Sequence, residues 1–302
     1  MCVIEYSDGK CVMDNGILRA VIRANPGGKL ISLYSLRKNE ELLFQPPRND
    51  YAMPHRGAAF AEYEAAGFDD AFPNIDAEEF SLRNRTISYN DHGDIWSVPM
   101  ELYLKDNSAV VHTRNENFLF MKSMRIDGNR LISSYMISNV SEDEFPCFYT
   151  MHCLFKCDEN MRIIFPESVK KVENAADSER LGRAGTVHSF PVTENGVDLS
   201  RIRGVKSGKY EKFYALGEVT DGNCGLYYPD SGINVRINWD TEALPYLGFW
   251  ITEGGYRGDY NCALEPSSGY YDSISKAYKN KSLWILKPGE EKSFEISISV
   301  EV

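Results

Sequence analysis

The chain has 302 residues, 43% apolar and 25% charged, a globular composition that excludes disordered, collagenous and coiled-coil chains and suffices for a large buried core. Lys and Arg number 33 against 44 Asp and Glu, a net charge of −11 that repels a phosphate backbone, and no basic patch offsets it, so no nucleic-acid partner is expected. No apolar run approaches the roughly 18 residues of a membrane span, Glu5 and Asp8 occupy the start where a signal peptide would be apolar, and the 7 cysteines show no paired spacing; reduced thiols, a cytoplasmic location and no membrane partner are expected.

Taken in chain order, the dominant hydrophobic period is two. Leu18, Ala20, Ile22 and Ala24 alternate with Arg19, Val21 and Arg23 before the turn Asn25-Pro26-Gly27-Gly28. Gly67-Phe68-Asp69-Asp70-Ala71-Phe72-Pro73 places two adjacent acids among aromatics, where they either bind hydroxyls or cap a turn. Asp91-His92-Gly93-Asp94 is a polar loop between strand-like segments. Apolar runs on either side of Asp127-Gly128-Asn129 predict a hairpin over 118–139. Phe148 to Phe155 reads as a buried strand that carries His152, whose burial demands a hydrogen bond. His55 and His188 read as exposed loop residues and His112 as a solvent-facing strand residue.

A short helix is predicted over 271–280, capped by Asp272 or Ser273, and a weaker one over 173–181. Ile233, Val235, Ile237 and Trp239 alternate with polar residues, and a second hairpin is predicted over 283–300 around Lys287-Pro288-Gly289-Glu290. Cys262-Ala263-Leu264-Glu265-Pro266 is an apolar strand ending in a carboxylate, which desolvation would tune as a general base, although a solvated strand end would read the same. No linker or repeat divides the chain, so one large antiparallel β domain over 1–302 is the simplest expectation.

His152, Cys153 and Cys157 do not make a metal site, because on a strand His152 faces one way and both cysteines the other. No zinc, serine-hydrolase or nucleotide motif is present, and no metal or cofactor is expected.

Several of these segments together resemble the aldose 1-epimerases, the galactose mutarotase superfamily. Asp91-His92-Gly93-Asp94-Ile95-Trp96 is similar to that family's Asp-His-Gly-Glu-Leu-Trp segment. Thr150-Met151-His152-Cys153-Leu154-Phe155 resembles its second histidine strand, and Ala263-Leu264-Glu265-Pro266-Ser267-Ser268-Gly269 its Glu-Pro-x-x-Gly element. Pro26-Gly27-Gly28-Lys29-Leu30-Ile31-Ser32-Leu33 and the 67–73 cluster match in the same order. The resemblance implies an all-β supersandwich of large stacked antiparallel sheets and cofactor-free interconversion of sugar anomers. It implies Glu265 as base on the anomeric hydroxyl, His152 as acid on the ring oxygen and His92 assisting.

Asp69 and Asp70 are candidate sugar ligands, and Trp96, Phe249 and Trp250 are either ring platforms or core. The Asn-Arg pair of galactose-type members has no obvious match near Arg83-Asn84-Arg85, and Lys212 stands where those members use an aspartate. Galactose itself is therefore not the expected substrate; Lys212, Arg83 or Arg85 either hold a sugar phosphate or are surface charge. A non-catalytic carbohydrate-binding member of the fold, or a glycoside hydrolase or lyase using Asp69, Asp70 and Glu265, are the alternatives, and the carboxylate separation decides the last. The expected partner is a small sugar, to a monomer or homodimer.

Overall fold

The computed structural model describes residues 2–47 and 50–302. Two large sheets carry the fold, and every strand pair in them is antiparallel. Their architecture is that of the all-β supersandwich expected above. The smaller, of 8 strands, runs Arg162–Ile164, Asn223–Tyr228, Ile233–Trp239, Glu291–Glu301, Arg130–Asn139, Phe118–Asp127, Ser108–Arg114, Glu101–Lys105. It has one buried face: Phe118, Phe120, Lys122 and Met124 alternate with more exposed neighbours, as do Phe294, Ile296 and Ile298. Alternation of this kind is what a sheet covered on one side requires.

The larger sheet, of 13 strands, has at its centre Phe68–Ala71, Thr150–Cys153, Tyr260–Ser267, Tyr246–Glu253 and Lys209–Ala215, in that spatial order. Phe68–Ala71 and Thr150–Cys153 are buried at every position. One face packs on the smaller sheet, and loops cover the other. A single apolar cluster running from Cys11 to Val300 fills the space between the sheets, and Met151, Cys153, Phe213, Phe249, Ile251 and Leu264 all point into it. Lys122 crosses this layer to Asp70, Nζ to Oδ2 2.9 Å, and the Tyr135 and Tyr149 hydroxyls donate to Asp70 Oδ1 at 3.0 and 2.6 Å. A charge at that depth is tolerated only because each oxygen is paired.

The 118–139 hairpin forms as expected, with Phe118 opposite Asn139 and Asp127 opposite Arg130. The 283–300 hairpin does not. Trp284–Leu286 pairs with Phe145–Cys147, and the turn at Pro288 sends Glu291–Glu301 into the smaller sheet, between Arg130–Asn139 and Ile233–Trp239. The 173–181 segment is not helical either. Val172 is buried opposite Ala215 in the strand Lys171–Asn174, and Asp177 and Ser178 then accept from the Ala184 and Leu181 N–H groups, side-chain bonds that compete with helix. The helix near the C-terminus is Ile274–Lys279, and Ser273 rather than Asp272 is its cap, accepting from the Lys276 N–H at 3.2 Å. His188, expected in an exposed loop, is buried in the strand Val187–Ser189 and its Nε2 donates to the Leu181 carbonyl at 2.8 Å. Among the described residues no helix is long and apolar enough to cross a membrane.

Candidate active site

The outer face of the larger sheet holds a cleft of about 240 Å³, small beside the roughly 300–1,000 Å³ of drug-sized pockets. Its floor follows from strand alternation. If Met151 and Cys153, Phe213, Phe249 and Ile251, and Leu264 point into the core, then His152, Lys212, Trp250 and Glu265 must point the other way, and these four do line the cleft. Loops supply its walls: Phe60, Ile75, Asp76, His92, Tyr256, Asp259 and Asp272.

Glu265 is fully buried. Its Oε2 accepts from Lys212 Nζ at 2.6 Å, while its Oε1 has no hydrogen-bond partner. Gly248 lies opposite it on the neighbouring strand, where a Cβ would come within 2.9 Å of Oε2, so the carboxylate needs a glycine there. Lys212 also reaches Asp272 Oδ1 at 3.4 Å, and the Tyr214 hydroxyl donates to that same oxygen at 2.6 Å. Burial raises the Glu265 carboxyl above the usual range, opposed by the Lys212 ammonium and reinforced by Asp272. Burial alone would lower Lys212, but the carboxylates of Asp272 and Glu265 outweigh it and raise the ammonium's value.

His92 is held by an unusual backbone. Its φ is +56° and that of Gly93 is +76°. Its N–H donates to the Ile75 carbonyl at 2.6 Å and that of Asp94 to the Phe72 carbonyl at 2.9 Å. A Cβ at residue 93 would lie 2.2 Å from the Phe72 oxygen, which is why glycine follows the histidine. His92 Nδ1 donates to Asp91 Oδ1 at 2.7 Å, and its ring stacks on Phe60 at 4.0 Å and 12°. Burial alone would raise the Asp91 carboxyl, but the hydrogen bond and charge of His92, with the Phe60 N–H, hold it below the usual range. His152 lies 5.2 Å from His92, ring to ring. Burial, with the charges of His92, Lys212 and Lys29, keeps it well below the ordinary histidine value, and its Nδ1 has no partner.

The structure thus gathers Glu265, His152, His92, Lys212 and Trp250 around one cleft. The other expected ligands sit elsewhere. Asp69 faces outward beside His152, its register partner, but is buried against Lys29, Nζ to Oδ2 3.0 Å, and burial raises its carboxyl. Asp70, one residue on, points into the intersheet core, so the acid pair cannot face a sugar together. Trp96 is buried behind Phe60, 5.0 Å away edge to face, and donates to the Asp91 carbonyl at 2.8 Å. Phe249 belongs to the core. Arg83 is exposed and pairs with Glu144, and Arg85 bonds Asn117 and the Glu144 carbonyl; neither lines the cleft. Cys153 lies in the core while His152 faces the cleft, so the two do not converge.

Sequence reading missed Phe60, Asp76 and Asp272. Asp272 was visible only as a helix cap, and its backbone carbonyl instead accepts the Ile75 and Asp76 N–H groups at 3.2 and 2.8 Å, tying the two loops together. Burial and the nearby Asp272 raise the Asp76 carboxyl.

Among known structures, the galactose mutarotase-like protein of Lactobacillus casei ATCC 334 is 16% identical with a TM-score of 0.73, covering 97% of this chain and 100% of its own. The Slr1438 protein of Synechocystis sp. PCC 6803 is 16% identical, TM-score 0.73, covering 98% and 99%. A candidate aldose 1-epimerase of Escherichia coli K12 is 17% identical, TM-score 0.71, covering 100% and 99%. The chain has the galactose mutarotase-like fold. The family described as "Domain of unknown function (DUF4432)" matches residues 194–300. No curated protein matches the chain.

Proposed function

We propose that the protein is an aldose 1-epimerase that interconverts the α and β anomers of an uncharged aldose. The observation that carries this reading is Glu265: a fully buried carboxylate with one oxygen unpartnered, facing the same small cleft as two imidazoles. A buried acceptor left open costs about 1–3 kcal/mol, an expense that makes sense where a substrate hydroxyl completes it. Ring opening requires a proton to leave the anomeric hydroxyl as another reaches the ring oxygen. Glu265 Oε1 takes the first, and a cleft histidine supplies the second. C1–C2 rotation and reclosure on the other face of the carbonyl give the second anomer. A well-placed acid and base each contribute roughly 10²–10⁴-fold. Trp250 and Phe60 supply apolar surface for the sugar ring.

The charge of the cleft favours a neutral sugar over a sugar phosphate. Asp76, Asp259, Asp272 and Glu265 line it against a single ammonium, Lys212, which is already shared by two carboxylates. A phosphate would have to break that pairing. A purely sugar-binding role would not require a buried, open carboxylate beside imidazoles.

Polarimetry of freshly dissolved α-D-glucose, α-D-galactose and glucose 6-phosphate tests this. Acceleration with at least one of the neutral sugars is expected, falling about 10²–10⁴-fold in Glu265→Gln. Because the carboxylate is the active form and burial raises it, the acid limb of the rate profile should lie above the ordinary carboxylate range of about 4.3. Equal rates in Glu265→Gln, or turnover of the phosphate alone, would refute the proposal.

A further inference from the structure

Three neighbouring strands of the larger sheet lay out the cleft floor in rows. Glu265 lies opposite Gly248, and Gly248 opposite Tyr214; Ala263 lies opposite Trp250, and Trp250 opposite Lys212; Asn261 lies opposite Thr252, and Thr252 opposite Tyr210. All nine positions share the outer face, and at roughly 3.3 Å per residue the third row lies about 13 Å along the strands from Glu265. Beyond the first row the floor is closed. Phe68–Ala71 and Tyr260–Ser267 both run antiparallel to Thr150–Cys153, so both leave the sheet at that end, and the loops that follow them are joined where the Asp272 carbonyl accepts the Ile75 and Asp76 N–H groups. At the third row aromatic rings gather instead. Trp250 leans away from Glu265 to donate from Nε1 to Asn261 Oδ1 at 3.2 Å. Its ring lies 5.4 Å from that of Tyr256, at 90°, and 5.8 Å from that of Tyr210, which keeps 38% of its surface exposed.

These groups are held in place. Thr252, fully buried, accepts the Tyr256 N–H at 3.0 Å and donates to the Asp259 carbonyl at 3.2 Å, which pins the loop that carries both residues. An indole N–H only donates, so the oxygen of the Asn261 amide faces it. The amide N–H pair of this buried residue, without a partner among the described residues, is left for a ligand oxygen. Asp259 also lines the cleft, and its carboxylate is only loosely paired with Arg257, Nε to Oδ2 3.8 Å.

We propose that this aromatic group is a second sugar subsite and that the substrate is a reducing oligosaccharide, with its reducing-end aldose in the cleft and the next glycosyl unit on Tyr256 and Tyr210. The proposal rests on the mutarotase reading and extends it. With the anomeric hydroxyl at Glu265 Oε1 and the floor closed beyond it, the far side of the ring, where C4 stands across from C1, points toward the third row. A glycosyl unit on O4 then lies over exposed aromatic rings, whose faces match the C–H face of a pyranose, while Asn261 donates and Asp259 accepts at its hydroxyl edge. The glycosidic bond is untouched, and C1 of the reducing unit is the one centre that changes.

The test follows mutarotation by polarimetry, and binding by titration calorimetry, of maltose, cellobiose, lactose and β-1,4-galactobiose, each against its own reducing-end monosaccharide, in wild type, Tyr210→Ala and Tyr210→Phe. At least one disaccharide should show the lower KM. Tyr210→Ala should raise that KM about 2–10-fold and leave KM and kcat for the monosaccharide unchanged, while Tyr210→Phe, which keeps the ring, should keep the preference. No disaccharide preferred to its monosaccharide, or a Tyr210→Ala that leaves the preference intact or weakens both sugars alike, overturns the subsite. If the wild type accelerates no sugar, the mutarotase reading falls and calorimetry alone decides the subsite. A disaccharide that binds more tightly than its monosaccharide, with the advantage lost in Tyr210→Ala, then upholds it; equal binding, or none, overturns it.

Discussion

Replacing Lys212 with methionine removes the single ammonium that holds two carboxylates at the floor of the cleft. At an effective dielectric near 20, a charge pair at 2.6 Å is worth about 6 kcal/mol and one at 3.4 Å about 5 kcal/mol before desolvation is subtracted. Breaking a buried pair by deleting one partner costs about 3–5 kcal/mol in practice. For a chain of this size that is a melting point lower by roughly 6–10 °C.

The pH dependence of the deficit identifies its cause. Glu265 has a raised carboxyl in the folded state, so its proton is held more tightly folded than unfolded; the stability this contributes is present in acid and lost as pH rises through the folded value. Without Lys212 that loss is larger and uncompensated, whereas a protonated Glu265 has no need of an ammonium. Lys212, raised above its ordinary value, stays charged throughout the neutral range and adds no slope there. Thermal unfolding of Lys212→Met and wild type at about pH 5 and pH 8 should therefore show a deficit that shrinks in acid. A deficit equal at both pH values, or below about 1 kcal/mol at pH 8, would refute the argument that Lys212 compensates a buried Glu265.

Two further substitutions separate the site from the core. Gly93→Ala places a methyl 2.2 Å from the Phe72 carbonyl oxygen at a φ of +76°, and should cost about 1–3 kcal/mol while displacing His92, so turnover measured by polarimetry should fall further than stability measured by melting. Lys122→Met leaves Asp70 in the intersheet layer with two tyrosine hydroxyls and no cation and should cost about 3–5 kcal/mol, with KM for the sugar unchanged in the protein that remains folded; an altered KM would place Asp70 at the sugar after all.

The period-two pattern carried the architecture because each sheet has at least one face that must be apolar. It also sorted His152 from Cys153 without any knowledge of the fold. Glu265 was legible as a carboxylate among apolar neighbours, yet its partner was not: Lys212 lies 53 residues away in sequence and meets it only through strand pairing. The same limit hid Asp272, whose local surroundings say only that a helix starts nearby. Asp69 and Asp70 looked equivalent in the chain, and one step along the strand sends the first toward Lys29 and the second toward Lys122. The 283–300 turn was recognised correctly and its consequence was not, because a turn does not say which sheet receives the next strand. At 173–181, side-chain bonds from Asp177 and Ser178 to the backbone supplanted the helix that a weak pattern had favoured.

Because the cleft floor and the intersheet core are read from alternate residues of the same strands, insertion or deletion of one residue in Thr150–Cys153 or Tyr260–Ser267 would exchange a polar floor residue for an apolar one and bury the polar one in the core. These strands can change only by substitution. The loops bearing Phe60, Asp76 and Tyr256 carry no such constraint, since length changes there leave every strand in register. Descendants of this protein would therefore reshape the cleft through its walls, while the strand-borne floor passed on with its spacing intact.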